Sequence, residues 1–400
     1  HLAGRYLTSF FNIFSLILCL ILISEITNNK KSVLFFSILI CFNIYLFKYS
    51  QELRVYSLLF LLTSLSSLYF VKITKNDSKF NYLLFFIFIL LSILSHPFAL
   101  IVFFSMITYS LVISYNRRII NKLNITLFIL LILSFCYYLI YFLNLNEITS
   151  WIPQVDIKFF TNYFFSKFFG SRILGIIYLI IFLYLIFVLR EKIINSILLF
   201  FLFIVLYSYI LPIIFSLFVK PILIDRYIIF VILPVLLLIS ILIFYLENNI
   251  VKKSFISILI ITTLVNFSFE NPIKQFFEQP KKNKPDFNQS LNIIQKSNDR
   301  LILIKNFMPY SSEKRKFYRI LDISVNHYLT HLANEIDPGL KIITKDDLNT
   351  NKISNIWVLC YSDLDIDNCK LPKFGKKVLI EKNIFLSKIN LKKIKIDLSK

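Results

Sequence analysis

The chain has 400 residues, of which 57% are hydrophobic and 17% aromatic, and it carries only 5 glycines. This composition excludes disordered chains and ordinary soluble folds, and it is typical of multi-pass α-helical membrane proteins. The formal net charge is +21, but Lys and Arg occur in short loops and in the C-terminal tail, without a basic stripe carrying interleaved aromatics, so no nucleic-acid partner is expected. Because the first residue is His1 and no signal-peptide n-region precedes the first apolar run, we expect the sequence to begin inside a longer reading frame.

Ten apolar runs are long enough to cross a bilayer, or nearly so. They lie at Tyr6–Ile26, Val33–Phe47, Tyr56–Val71, Tyr82–Leu94, Ala99–Tyr115, Leu123–Leu143, Ile173–Leu189, Ser196–Phe218, Tyr227–Leu246 and Phe255–Phe269. Proline disfavours helical geometry in the residue before it, so a turn is predicted at Ser95-His96-Pro97, between the fourth and fifth runs. The predicted fold class is an α-helical multi-pass membrane protein, with about ten transmembrane helices in residues 1–269.

The loops between these runs differ in their content of Lys and Arg. One alternating set is rich in them and contains Lys30, Lys31, Lys72, Lys75, Lys79, Arg117, Arg118, Lys122, Arg190, Lys192, Lys252 and Lys253. By the positive-inside rule this set is cytoplasmic. The segments that then share the outer face are Tyr49–Tyr56, the turn at His96, the loop 144–171, the loop Lys220–Arg226 and the chain after Phe269. In the loop 144–171, the aromatic-rich stretch 151–165 predicts a short amphipathic helix in the headgroup layer.

The composition changes after Phe269. Residues 270–289 are rich in Lys, Pro, Asn and Gln and are predicted to form a linker. Residues 290–400 form a small α/β domain, predicted from strand-like runs and one helical segment. The strand-like runs are Arg300–Ile304, Ile356–Cys360 and Lys377–Ile380, and the helical segment is Ile320–Ala333. Long domains are translocated largely regardless of charge, so this Lys-rich domain is expected outside the cytoplasm.

The segment Tyr49–Tyr56 places two phenols, a carboxylate and a guanidinium between two apolar runs. Charges beside lipid are costly and are usually retained for a function. Arg54 offers a planar fork of donors for a phosphate or diphosphate, and Glu52 can orient a ligand. The alternative is a juxtamembrane ion pair or a headgroup contact. Two residues apart, the two side chains need not pair, since on a helix they would point in different directions.

Two further positions on the predicted outer face carry candidate chemistry. His96 is either a ligand-binding residue or base, or more simply a hydrogen-bond partner at a helix end. Asp225-Arg226-Tyr227 opens a helix, and an anion can lie among Lys220, Arg226 and the first amides of that helix. The alternative makes Asp225 the N-cap and extends Arg226 to lipid headgroups.

His327 and His331 are spaced i, i+4 in the predicted helix of the tail, a spacing that can chelate zinc. The glutamate of the zinc-protease motif is absent and no nearby Cys cluster completes a site, so we interpret the pair as one face of a helix.

Three cysteines, Cys19, Cys41 and Cys136, lie in apolar runs and are interpreted as packing residues. Cys360 and Cys369 lie in the outer domain and can form a structural disulfide in an oxidising compartment.

The order of the polar segments follows a familiar pattern. It comprises Arg5-Tyr6-Leu7, the Gln-Glu-x-Arg-x-Tyr sequence at 51–56, Ser95-His96-Pro97, Trp151-Ile152-Pro153, Asp225-Arg226-Tyr227 with Leu233-Pro234, and a small outer tail. In this order the chain resembles the bacterial membrane-embedded glycosyltransferases of the C-type fold, relatives of protein O-mannosyltransferases and of the aminoarabinose transferases of lipid A. The most specific part of the resemblance is the 51–56 sequence.

The resemblance implies an enzyme that takes a sugar from a polyprenyl-phosphate carrier. The sugar is transferred with inversion to a lipid, glycan or protein acceptor on the outer face of the bacterial plasma (inner) membrane. The implied donor-binding residues are Glu52, Arg54, Tyr56, His96, Lys220 and Arg226. The catalytic acid of the family, usually an Asp in the first outer loop, is expected upstream of His1. No cofactor is assigned, and a requirement for a divalent metal ion is left open.

Three alternatives remain at this stage. A flippase or transporter for a lipid-linked sugar usually carries ionisable residues or Gly and Pro breaks at mid-membrane. Here Pro212 and Pro234 lie within apolar runs, but the charges cluster at one interface, which favours chemistry there. A polysaccharide polymerase or ligase would need a large Arg-rich outer loop between late helices, and the loop at Lys220–Tyr227 is too short. A catalytically inactive fragment that binds carrier lipid is the third alternative.

Overall fold

The computed structural model describes residues 2–52, 54–117, 122–143, 167–219, 221–270, 287–297, 299–306, 327–343, 355–361, 378–386 and 389–396. The chain divides into two compact units, His1–Pro272 (unit 1) and Ile273–Lys400 (unit 2).

Unit 1 is built from apolar helices. The α-helices are α1 (Leu2–Ile26), α2 (Lys30–Cys41), α3 (Ile44–Ser50), α4 (Tyr56–Lys75), α5 (Lys79–Ser95), α6 (Ala99–Arg117), α7 (Lys122–Leu143), α8 (Arg172–Val188), α9 (Arg190–Ile194), α10 (Leu198–Phe218), α11 (Ile232–Tyr245) and α12 (Asn249–Glu270). A 3₁₀ helix, Asp225–Val231, leads directly into α11. The centre of the unit is α11, which is apolar on all sides and buried along nearly its whole length, as expected for a helix enclosed by other helices.

The prediction of a helical membrane protein is confirmed at the level of class. Within the described residues, five helices are long and apolar enough to cross a bilayer, and a sixth is added if the bent pair α2–α3 counts as one span. The apolar stretches of α5, α6 and α8 are shorter: Lys79–Ser95, Ala99–Tyr115 and Arg172–Val188. A helix of 17 residues rises only about 25 Å, less than a hydrocarbon core of about 30 Å. The predicted total of ten spans is therefore not confirmed.

The span predicted at Val33–Phe47 is wrong as a single helix. The chain bends by 55° between α2 and α3, and Asn43 is the N-cap of the second helix. Its Oδ1 accepts a hydrogen bond from the Leu46 N–H (3.0 Å), and its Nδ2 donates to the Phe168 carbonyl (3.0 Å). The side chain thus satisfies an amide at the start of α3 that has no partner within the helix, and it fixes the bend against another part of the unit.

By contrast, the turn predicted at His96 is confirmed. Helix α5 ends at Ser95 and α6 begins at Ala99, while His96 has an extended backbone (φ −160°, ψ 134°). Pro97 accounts for this geometry, because its ring excludes helical angles from the preceding residue.

Contacts between α1 and its neighbours define two ends of the helical bundle. At one end, the hydroxyls of Thr8 and Ser9 each donate to the Ser50 carbonyl at 3.0 Å. At the other end, the Lys72 ammonium of α4 lies 3.9 Å from the Glu25 carboxylate of α1. We call the first the Tyr56 end, after the first residue of α4, and the second the Lys72 end.

Unit 2 contains a five-stranded mixed sheet. The strands are β1 (Leu301–Asn306), β2 (Lys341–Ile343), β3 (Asn355–Tyr361), β4 (Val378–Leu386) and β5 (Ile389–Ile396), in the spatial order β2-β1-β3-β5-β4. Strand β1 is parallel to β2 and β3, whereas β5 is antiparallel to β3 and β4. The three strand-like runs of the sequence correspond to β1, β3 and β4, and β2 and β5 add two strands to them.

Two helices pack on one face of this sheet: α13 (Phe287–Gln295) and a helix at 327–336. Their buried residues form one cluster with Trp357 and Leu359 of the central strand β3. Helix α13 begins inside the stretch interpreted as a linker, so residues 287–289 belong to the folded unit. The second helix overlaps the predicted segment Ile320–Ala333, whose residues 320–326 lie outside the described part of the chain.

Cys360 is disulfide-bonded, and Cys369 lies outside the described residues.

Candidate functional site

Residues 51, 52, 54 and 55 lie in the turn between α3 and α4. The Glu52 N–H donates to the Tyr49 carbonyl (3.3 Å), and the Arg54 N–H donates to the Glu52 carbonyl (2.8 Å). The last carbonyls of α3 are bonded from outside the helix, by Thr8 and Ser9 at Ser50 and by the Ser57 hydroxyl at Tyr49 (3.1 Å). These hydroxyls take the place of the missing helical donors and hold the turn at the Tyr56 end.

Glu52 and Arg54 are in contact. The Arg54 Nε lies 3.9 Å from Glu52 Oε2, and the Arg54 side chain is 51% exposed. The sequence argument that the two side chains need not pair assumed helical geometry; in a turn, residues two apart reach each other. Only one Arg54 nitrogen lies at this distance from a Glu52 side chain that is 16% exposed, and the exposed guanidinium has further N–H donors for another anion.

Four aromatic rings from three parts of unit 1 meet at the Tyr56 end. The His96 ring centre lies 4.8 Å from that of Tyr227, 5.6 Å from that of Phe98 and 6.2 Å from that of Tyr56. Tyr227 also contacts Phe98 (5.2 Å) and Tyr56 (6.1 Å). Spacings of this size are those of packed aromatic pairs. The start of α4, the turn before α6 and the 3₁₀ helix are therefore joined through one cluster, which we call the His96 cluster.

His96 itself is held as a neutral imidazole. The Phe98 N–H donates to its Nδ1 at 3.2 Å, so this nitrogen carries no proton, and in the neutral ring the proton lies on Nε2. Burial lowers the pKa of His96 to about 4. At neutral pH the ring therefore offers one N–H donor and no charge.

Arg226 adds a cation to the cluster. Its guanidinium carbon lies 5.6 Å from the centre of the Tyr56 ring, within the range of a cation–π contact. Tyr49, Tyr227 and Asp225 also interact with it electrostatically. The guanidinium is about half buried at the start of the 3₁₀ helix. Asp225 is not the N-cap predicted as the alternative, because it lies in the first turn and Ile224 precedes it at the cap without a side-chain bond.

Three of the six predicted site residues, Tyr56, His96 and Arg226, are thus brought into one cluster. Glu52 is connected to it through Tyr49, whose side chain interacts electrostatically with Glu52, Asp225 and Arg226. Arg54 lies on the exposed side of the same turn. Lys220 and the predicted interfacial helix at 151–165 lie outside the described residues.

Sequence reasoning missed Tyr49, Phe98 and Tyr227 as members of the site. Each is adjacent or close to a residue that was singled out, but an isolated Tyr or Phe in an apolar chain is most simply interpreted as a packing residue. The signal that selects them is their convergence on His96 and Arg226, which depends on how α3, α4, α6 and the 3₁₀ helix pack together.

The apolar helices of unit 1 make the protein a helical membrane protein. Comparison with known proteins gives no closer identification: no protein-family model matches the chain, and no curated protein is significantly similar to it.

Proposed function

We propose that the Tyr56 end binds the phosphate and the attached sugar of a polyprenyl-phosphate donor, and that the protein is an inverting glycosyltransferase. The acceptor is a lipid, a glycan or a protein on the outer face of the bacterial plasma membrane. The observation that carries the proposal is the convergence of Arg226, the aromatic rings around His96 and the Glu52–Arg54 turn at one end of an apolar helical bundle.

The chemistry of the cluster suits such a donor. A lipid phosphate at headgroup depth requires cations placed at the end of a membrane bundle and not at its centre. Arg226 and Arg54 are cations of this kind, and a guanidinium can bind two phosphate oxygens at once. As the glycosidic bond breaks, negative charge grows on the leaving phosphate, and a preorganised guanidinium stabilises that charge.

The remaining groups suit a sugar. Tyr227 is partly exposed, and its amphipathic ring can pack against the apolar face of a pyranose while its hydroxyl binds polar groups. Tyr56 is buried and supports the Tyr227 ring from inside the cluster. The neutral His96 donates one hydrogen bond without adding a charge. Glu52 and Asp225 can accept hydrogen bonds from sugar hydroxyls.

The membrane arrangement completes the proposal. About ten spans, with the Lys72 end in the cytoplasm by the positive-inside rule, place the Tyr56 end and unit 2 outside the cytoplasm. A lipid-linked donor then reaches the site laterally from the outer leaflet.

Binding of a polyprenyl phosphate to the purified protein in nanodiscs tests the site. We expect Arg226→Ala to weaken binding of the phosphate roughly tenfold or more, with little change for the uncharged polyprenol, because only the phosphate uses the guanidinium. Arg190→Ala is the matched control: Arg190 is exposed near the Lys72 end, where Lys192 of the same helix lies over the Tyr245 ring at the end of α11. Equal losses for Arg226→Ala and Arg190→Ala would contradict the site.

Turnover separates the transferase from a flippase. A transferase consumes a polyprenyl-phosphate sugar in detergent, where there are no two compartments, and Arg226→Ala lowers the rate. Movement of intact donor across vesicles, without consumption in detergent, would establish the transporter instead.

A further inference from the structure

The helix at 327–336 presents two histidines to solvent on the side opposite to the sheet. Leu329 and Ala333 of this helix are each 1% exposed and belong to the core around Trp357. His327 and His331 are both exposed. Successive residues of an α-helix are rotated by about 100°, so a residue two positions before a core position lies on the opposite face. The histidines therefore contribute nothing to the core of unit 2.

The two imidazoles are nevertheless in contact with each other. Their ring centres are 4.8 Å apart and their planes are nearly perpendicular, at 89°. A metal ion bound to one nitrogen of each ring, at a bond length of 2.0–2.1 Å, would lie about 3.2 Å from each ring centre. Two centres at the observed separation then subtend an angle of roughly 97° at the ion, between the values of octahedral and tetrahedral coordination.

We propose that His327 and His331 form a two-imidazole binding site for a borderline divalent transition-metal ion. Imidazole nitrogens prefer Cu²⁺, Ni²⁺ and Zn²⁺ over Mg²⁺ or Ca²⁺, which take oxygen ligands. A single helix supplies both ligands one turn apart, so the fold of unit 2 preorganises them. Within the described residues no group of three or more His, Cys, Asp or Glu side chains surrounds a common point.

This inference is independent of the transferase proposal, since it concerns a different unit and different residues. It also revises the interpretation from the sequence, where the pair was assigned to a plain helix face. The spacing alone predicted only that the two residues share a face; the ring separation adds that the two imidazoles are close enough for one ion to reach both once a nitrogen of each ring is turned toward it.

Titration of the protein with Cu²⁺ tests the site. The protein carries a tag without histidines and the substitution His1→Ala, so that the pair and His96 are the histidines that remain in the sequence. We expect one Cu²⁺ per chain, weaker Ni²⁺ binding and no detectable Mg²⁺ binding, following the order of intrinsic affinities. Electron paramagnetic resonance of the Cu²⁺ complex should show two coordinating imidazole nitrogens.

Two single variants and one double variant distinguish chelation of the ion by both histidines from binding of an ion by each histidine alone. His327→Asn and His331→Asn should each weaken Cu²⁺ binding roughly tenfold or more, since loss of either ligand removes the chelate. The matched control is the double variant His331→Ala with Asn334→His, which keeps two exposed histidines in the helix but separates them by two turns. It should bind as weakly as the single variants. Parental affinity in this control, or in both single variants, would overturn the proposal, as would absence of Cu²⁺ binding to the parent.

Discussion

At the scale of single residues, His96 couples the stability of unit 1 to pH. Burial lowers its pKa to about 4 in the folded protein, whereas an unfolded histidine titrates near 6.5. Between these two values the unfolded chain binds a proton that the folded chain does not. Stability therefore rises with pH across this window, and the destabilising contribution grows as the pH falls from 6.5 toward 4.

We predict that replacing His96 removes this dependence. In His96→Asn the amide oxygen can still accept the hydrogen bond from the Phe98 N–H, but the side chain no longer titrates. Unfolding in a denaturing detergent is monitored as the loss of the helix signal. The stability measured in this way should differ less between pH 7 and pH 4.5 in the variant than in the parent. An unchanged difference in stability between the two pH values would mean that other groups cause the acid sensitivity.

For His96, the sequence predicts the local backbone conformation but not the tertiary contacts. The His-Pro pair predicted a break in the helix, because the restriction that proline imposes is local. The neutral tautomer and the packing against Tyr227 could not be predicted from the sequence. Tyr227 lies 131 positions later and contacts His96 only after the helices pack.

At the scale of elements, the bend between α2 and α3 depends on Asn43. Its side chain caps α3 and also donates to the Phe168 carbonyl, and the residue is buried. Asn29 offers a matched comparison: it caps α2 by accepting from the Lys31 N–H (3.0 Å) and the Ser32 N–H (3.4 Å), but it lies in an exposed turn. Loss of a cap costs about 1 kcal/mol, and leaving a buried carbonyl without its donor costs about 1–3 kcal/mol more.

We therefore predict that Asn43→Ala is more destabilising than Asn29→Ala. The expected excess is about 1–3 kcal/mol in free energy of unfolding, measured by equilibrium denaturation of both variants in the same detergent. Equal effects of the two substitutions would show that the bond to Phe168 contributes nothing and that the bend is fixed by other contacts.

The elements themselves divide into those that local patterns predict and those that they do not. Strand β3 was predicted because Ile356–Cys360 is an unbroken apolar run, as expected for a strand buried between two neighbours. Strand β5 was missed because Lys392-Lys393 interrupts its alternation. In the fold, the Lys393 ammonium lies 2.7 Å from the Asp299 carboxylate and 3.1 Å from that of Glu381, which raises its pKa. These partners come from other segments, so no local pattern reveals them.

At the scale of the whole molecule, the composition predicts the class of the fold but not the number of spans. The hydrophobic fraction was sufficient to predict a helical membrane protein, because a chain of this kind must bury its backbone polar groups in helices. The number of spans was not predictable to the same degree, since a run such as Val33–Phe47 is apolar apart from Ser37 and Asn43 and bends only where Asn43 finds a partner in another part of the unit. The candidate site was predicted in part: Tyr56, His96 and the charged residues were assigned to it from the sequence, whereas Tyr49 and Tyr227, which join them, were not.

The two units have separate cores. The main cluster of buried residues lies in unit 1, and two smaller clusters lie on the two sides of the sheet in unit 2. Cys360 belongs to one of the smaller clusters and is disulfide-bonded. A disulfide stabilises a small domain by about 2–4 kcal/mol, largely through the unfolded chain. With Cys369 as the partner that the sequence predicts, the effect is confined to unit 2.

We predict that urea unfolds unit 2 separately and that reduction shifts only this transition. In a Trp151→Phe background the remaining tryptophan, Trp357, is buried in unit 2 and reports its unfolding by fluorescence, while circular dichroism is dominated by the helices of unit 1. Reductant should move the fluorescence midpoint to lower urea concentration and leave the helix signal unchanged. Cys360→Ala should unfold at the lower midpoint with or without reductant. Coincident transitions in both signals would show instead that the two units unfold as one.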